Sequence, residues 1–188
     1  MLLRFELLYE VKLAMSDKDS NAKLSEVFGD KKGYYVDKTK TFASKISMKD
    51  LKEILKIQPD NPEANAELGN ELMMAKAYEE AAKYFLKSLK TDPYFVTGLF
   101  GYGQANYYLG NFTESKIAFK KILVKNPEED IVYSYLGKLE AEKENYDEAL
   151  NYVEQAIKLN PDYYNYWLEK GNYNRLKGAG NAALEAYT

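Results

Sequence analysis

An all-α fold of stacked, antiparallel helix pairs is what this sequence predicts, and three recurrences predict it. Pro59, Pro93, Pro127 and Pro161 stand 34 residues apart. Gly69, Gly103, Gly137 and Gly171 keep the same step, as do the small residues Ala81, Ser115, Ala149 and Ala183. A fixed period of this length marks a solenoid of helical repeats, in which each unit buries its apolar face only against its neighbours.

Each recurrence has a physical reason. Glycine and alanine at fixed points let two helices approach closely, because a larger side chain there would hold the backbones apart. Four residues after each small residue comes Phe85, Phe119, Val153 or Tyr187, and burying such a side chain contributes about 1.5–3 kcal/mol before entropy is subtracted. The prolines end every second helix, since proline cannot continue the hydrogen-bond ladder and disfavours helix in the residue before it.

Taken in order, the chain opens on MLLRFELLYEVKLAM. Leu3, Leu7, Leu8, Val11, Ala14 and Met15 share one side of a helical wheel, which predicts an amphipathic helix. Arg4, Glu6, Glu10 and Lys12 interrupt its apolar run, so it reads neither as a signal peptide nor as a membrane span. Its stripe is expected to pack on the rest of the chain, with a partner subunit or a membrane surface as the alternatives. Residues 16–33 are polar and read as a connection. Residues 34–61 read as a divergent N-terminal repeat or capping helix. Ser47 and Asp50 form a capping box that opens the helix MKDLKEILKIQ, with Leu51, Ile54 and Leu55 on its buried side. The array itself occupies residues 62–188, as repeats 62–95, 96–129, 130–163 and a truncated 164–188. The chain stops inside the last repeat, from which a longer array or a covering chain is expected. Lys177 to Gly180 bring two glycines to the last turn, and that turn is expected to be looser than its counterparts.

Composition narrows the function. The 188 residues include no cysteine and no histidine. The usual thiolate nucleophile, the commonest general base and the usual zinc ligands are therefore missing, and no enzyme, metal site or cofactor is expected. Glu63, Glu67 and Glu142 are the carboxylates that could face a cleft, and they are read as solubilising charges. Residues 61–188 hold 14 Lys/Arg against 19 Asp/Glu, a poor balance for nucleic acid. Lys116, Lys120, Lys121 and Lys125 make a local basic run, read as a solvated helix face. With neither a leader nor a spanning segment legible, a cytoplasmic location is favoured.

Leu68, Tyr102, Leu136 and Lys170 precede the four glycines, and the whole pattern resembles the tetratricopeptide repeat, W-x2-L-G-x2-Y, then A-x3-F, then P. The tryptophan position holds Asn65, Leu99 and Tyr133, and only the last repeat keeps it as Trp167. The resemblance implies a right-handed superhelical solenoid whose first helices line a concave groove. It implies a non-catalytic module that binds a peptide segment or helix of another protein. Carried onto this sequence, Asn70, Gln104, Lys138 and Asn172 form one polar row of that groove. Met73, Phe100, Tyr107, Tyr108, Tyr135 and Arg175 stand beside it. Three amides in the row can donate and accept at once, which suits a peptide backbone. The family's clamp for an acidic chaperone C-terminus is not expected, because only Asn70 matches while Ala66, Gly101, Ile131 and Tyr135 hold the other positions. The alternatives are a scaffold that self-assembles through the N-terminal helix or the C-terminal face, and a regulatory domain of a larger protein.

Overall fold

The computed structural model describes residues 47–178, which form eight helices and no strand. They are α1 (Met48–Ile57), α2 (Pro62–Met74), α3 (Tyr78–Ser88), α4 (Val96–Tyr108), α5 (Phe112–Lys125), α6 (Asp130–Ala141), α7 (Tyr146–Leu159) and α8 (Tyr164–Leu176). The helix expected over residues 1–15, the connection, the start of the divergent repeat and the second helix of the last repeat lie outside the described residues. The fold divides into two compact units, one running to Gly101 and one from Tyr102. Helix α4 contributes to both.

In the first unit, α1 starts on the expected cap. Ser47 Oγ accepts from the Asp50 amide at 3.1 Å and donates to the Asp50 carboxylate at 2.8 Å, satisfying a backbone donor that the first helical turn leaves over. Leu51 and Ile54 are buried. Asn61 caps α2 through its Oδ1, which accepts from the Ala64 amide at 2.8 Å, and Pro62 takes the first helical position, where a missing N–H costs nothing. Helices α2 and α3 pack as a pair around Phe85, which is fully buried. Glycine is needed on both sides of that ring. A Cβ on Gly69 would lie 2.8 Å from Phe85 Cε1, and one on Gly101 only 2.1 Å.

The second unit repeats the scheme. A Cβ on Gly103 would lie 2.8 Å from the Phe119 ring, and one on Gly137 would lie 3.2 Å from the Ala149 carbonyl oxygen. Where the other repeats have alanine, Ser115 is buried and donates its hydroxyl to the Gly103 carbonyl at 2.8 Å, so its polarity carries no desolvation penalty. Helices α6 and α7 pair, and α8 packs on α7. Ala149, Val153, Ala156, Ile157, Tyr166 and Tyr173 form their shared core.

The turns obey the same period. After the first helix of each pair the backbone enters the left-handed region at Lys76 (φ 59), Gly110 (φ 76), Glu144 (φ 61) and Gly178 (φ 87). Gly178 therefore fills a position that the three other turns also give up to positive φ, one of them with glycine. In the first turns of three of the four first helices, the tryptophan position does more than fill volume. Asn65 Nδ2, the Tyr133 hydroxyl and Trp167 Nε1 each donate to the carbonyl of the proline six residues earlier, Pro59, Pro127 or Pro161, at 2.9 Å in all three. Leu99 has no donor to give. The turn at Pro93 is held instead by Asp92, whose Oδ1 accepts from the Tyr94 amide at 2.8 Å.

Candidate functional site

Of the ten residues expected to line a groove, three belong to the first unit. Asn70 is half-buried on α2 and donates its amide to Glu67 Oε2 at 3.3 Å, while Met73 and Phe100 are half-buried. The other seven lie in the second unit, and five of them are in mutual contact.

That cluster is built on Tyr135, in the middle of α6. Its hydroxyl accepts from Gln104 Nε2 at 2.7 Å. One face of its ring stacks on Phe119 at 4.9 Å between centroids, and the edge of Tyr107 meets it at 6.1 Å. The Lys138 ammonium lies 4.7 Å from the ring centroid, a cation–π contact that the one-turn spacing of 135 and 138 provides. Tyr107 in turn meets Tyr108 edge-on at 5.6 Å and donates its hydroxyl to Glu142 at 2.9 Å. Tyr108 is 53% exposed, so the aromatic cluster reaches the surface there.

Burial keeps the hydroxyls of Tyr107, Tyr135 and Tyr173 protonated. Burial pushes Tyr107 far above the ordinary phenol value, and the hydrogen bond to the Glu142 carboxylate adds to the shift. Burial also raises Tyr135, against the opposing pull of Gln104 and Lys138. Tyr173, behind them on α8, is raised by burial and by the nearby Glu169 charge. None acts as a base near neutral pH.

Beside the cluster, α6 and α8 enclose a recess of about 220 Å³ lined by Ile131, Ser134, Lys138, Tyr163, Asn165, Leu168, Glu169 and Asn172. Two members of the expected row, Lys138 and Asn172, meet there. Lys138 is paired with Glu169 at 3.0 Å, and Ser134 donates to the same carboxylate at 2.8 Å. The recess thus offers a cation and an anion side by side, with two amides on its rim. Arg175 is exposed on α8 and is not among the lining residues.

Ser134, Asn165 and Glu169 are outside the set expected from the sequence, although a signal for them existed. Ser134 precedes Lys138 by one turn, and Glu169 stands four residues after Asn165 and three before Asn172, so each group shares one helix face. The basic run departs from the solvated face expected of it at one residue. Lys116 reaches across to Glu140 on α6, whose side chain is nearly buried, while Lys120, Lys121 and Lys125 are exposed. Among the described residues, no group of three or more Asp or Glu side chains is placed to hold a metal ion, and no helix is long and apolar enough to cross a membrane.

Residues 131–163, which comprise nearly all of α6, all of α7 and the turn to α8, match the family described as the tetratricopeptide repeat. That repeat is a tetratricopeptide repeat. Tetratricopeptide repeat-containing protein trd-1 of Caenorhabditis elegans is 28% identical over 130 residues, which is 68% of this chain but 16% of that protein. The chain therefore spans a small part of that relative. Among solved structures, MamA (41-end) from Desulfovibrio magneticus RS-1 superposes with a TM-score of 0.70 at 21% identity, covering 74% of this chain and 79% of that one. YrrB, described as a tetratricopeptide repeat protein with an unusual peptide-binding site, superposes with a TM-score of 0.63 at 18% identity, covering 74% and 72%. At these identities the likeness is one of fold.

Proposed function

We propose that this tetratricopeptide array is a non-catalytic interaction module that holds a segment of a partner protein, and that the recess between α6 and α8 is where the segment is gripped. The observation that carries this reading is the Lys138–Glu169 pair. An ammonium and a carboxylate 3.0 Å apart cancel as net charges, yet side by side they match the C=O and N–H of one peptide unit. Asn165 and Asn172 add donors and acceptors of the same kind. The aromatic cluster of Tyr107, Tyr108 and Tyr135 supplies rigid apolar contact area at little entropic cost, as hot-spot residues do. Because the Lys138 charge is already neutralised, the site favours an uncharged stretch of backbone over a terminal carboxylate.

Selection of a random peptide library on the whole chain tests this. Enriched peptides are titrated by fluorescence polarisation against the natural chain and against Lys138→Met with Asn172→Ala. Asn172 is exposed and Lys138 half-buried, so the melting curve is expected to fall only by what the loss of the Glu169 pair costs, with the fold retained, while binding weakens roughly tenfold or more. Peptides that bind the double variant as well as the natural chain would place the contact elsewhere, and failure to enrich any peptide would remove the reading altogether.

A further inference from the structure

Helix α5 presents an outer face with two exposed aliphatic side chains one heptad apart, a pair that its counterparts lack. Ile117 and Val124 are 55% and 70% exposed, and seven residues of helix separate them by about 10.5 Å along the axis. One repeat earlier the same positions hold Lys83 and Lys90, and one repeat later Asn151 and Lys158, all four exposed. The period thus provides its own control: polar side chains suffice for the fold at these two positions, where α5 alone of the three repeats carries branched aliphatics, while α3 exposes a single aliphatic on this face, Leu86, at the position of Lys120. Between them stand Lys120 and Lys121, both exposed and without an ion pair among the described residues. Lys116, by contrast, has its charge taken by Glu140. Thr113, Ile117, Lys120, Lys121 and Val124 fall within about 100° of arc on the helix, with Glu114 just outside it.

We propose that this face docks an acidic amphipathic helix of a partner protein. Two aliphatic side chains one heptad apart would lie against Ile117 and Val124, and carboxylates between them would meet Lys120 and Lys121. Charge complementarity decides the partner. Nucleic acid calls for concentrated positive charge, whereas these repeats are acidic overall. An anionic membrane gains about 1 kcal/mol per basic side chain, and of the other apolar side chains of α5, Ala118, Phe119 and Ile122 are buried in the fold and Phe112 and Leu123 half-buried. Only two side chains remain to enter a bilayer. An acidic helix needs no more than those two contacts and the two lysines between them.

The probe is a fluorescein-labelled helical peptide with two leucines one heptad apart and glutamates between them, titrated with the whole chain by anisotropy. Binding is expected, weakening as salt is raised. Ile117→Lys with Val124→Lys installs at both positions the residue found one repeat earlier, so the fold is retained, and it should weaken the probe tenfold or more. Lys138→Met with Asn172→Ala should leave the probe untouched, which separates this surface from the recess. Absence of binding, equal affinity for a probe whose glutamates are changed to lysine, or indifference to the Ile117/Val124 variant would each overturn the proposal. So would a preference for phosphatidylserine vesicles over the peptide.

Discussion

Gly101→Ala is a small change that the packing around Phe85 makes expensive. The new methyl would sit 2.1, 2.2 and 2.6 Å from three ring carbons of Phe85, where carbon atoms prefer about 3.5–4.0 Å. The ring would have to retreat by roughly 1.4 Å or more to restore that distance. It has nowhere to go, because it is fully buried and already presses on Gly69, whose own Cβ position is 2.8 Å from it. Overpacking of this kind costs about 1–3 kcal/mol, and the crowding of three ring atoms points to the upper end. Alanine's better helix propensity offsets roughly 1 kcal/mol of that. A net loss of about 2 kcal/mol is expected, read as a lower urea midpoint at constant slope. Phe85→Leu provides the second corner of a cycle. In its background the ring is gone, so Gly101→Ala should become neutral or stabilising by up to about 1 kcal/mol, the propensity gain alone. If Gly101→Ala stabilises the natural chain by that same amount, the ring does not lie against Gly101 and the close approach is refuted.

Other outcomes follow from the turns and from the buried charge. At the left-handed positions, Lys76→Gly and Glu144→Gly should each stabilise by about 0.5–1 kcal/mol, and Gly110→Ala should destabilise by about 1 kcal/mol, as thermal melts would show. Tyr133→Phe removes the donor to Pro127 and should cost about 0.5–1.5 kcal/mol in urea unfolding. For Glu140, burial raises the carboxyl, but hydrogen bonds from Lys116 and Asn145 and the charges of Lys116 and Lys143 outweigh it and hold the group below its ordinary 4.5. A depressed carboxyl stabilises the fold above the unfolded value and loses that contribution as pH falls through the folded one. The natural chain should therefore lose stability on acidification below about pH 4.5 more steeply than Glu140→Gln, when both are followed by circular dichroism.

The 34-residue step made the helix pairs and their close approaches legible from the sequence, because glycine, alanine and proline act through backbone geometry that any reader of spacing can apply. The capping box at Ser47 was legible for the same reason. What spacing could not supply was the pairing of side chains across helices. Lys116 looked like one of four surface lysines, and only the placement of Glu140 on α6 turns it into a charge partner. Asn65 looked like the loss of a tryptophan, since its role rests on a carbonyl that no residue letter encodes. The recess had the same difficulty. Lys138 and Asn172 were readable as members of one row, whereas Glu169 gains its role from facing Lys138 across two helices, a distance set by the packing of α8 on α7 and α7 on α6.

The bond from Asn65, Tyr133 or Trp167 to a proline carbonyl has a consequence for how the chain reaches this structure. Each spans six residues, so it closes a loop too short to wait for distant parts of the chain. The turns at Pro59, Pro127 and Pro161 can set the direction of the following helix as soon as they are synthesised or collapse. The turn at Pro93 must rely on the Asp92 loop and on the later arrival of Phe85 against Gly101. Low contact order favours rapid folding from such local starts. Nucleation is accordingly expected in the residues around Pro127 and Pro161, with the segment around Pro93 joining last, and Tyr133→Phe should slow refolding while a substitution at Asp92 mainly speeds unfolding.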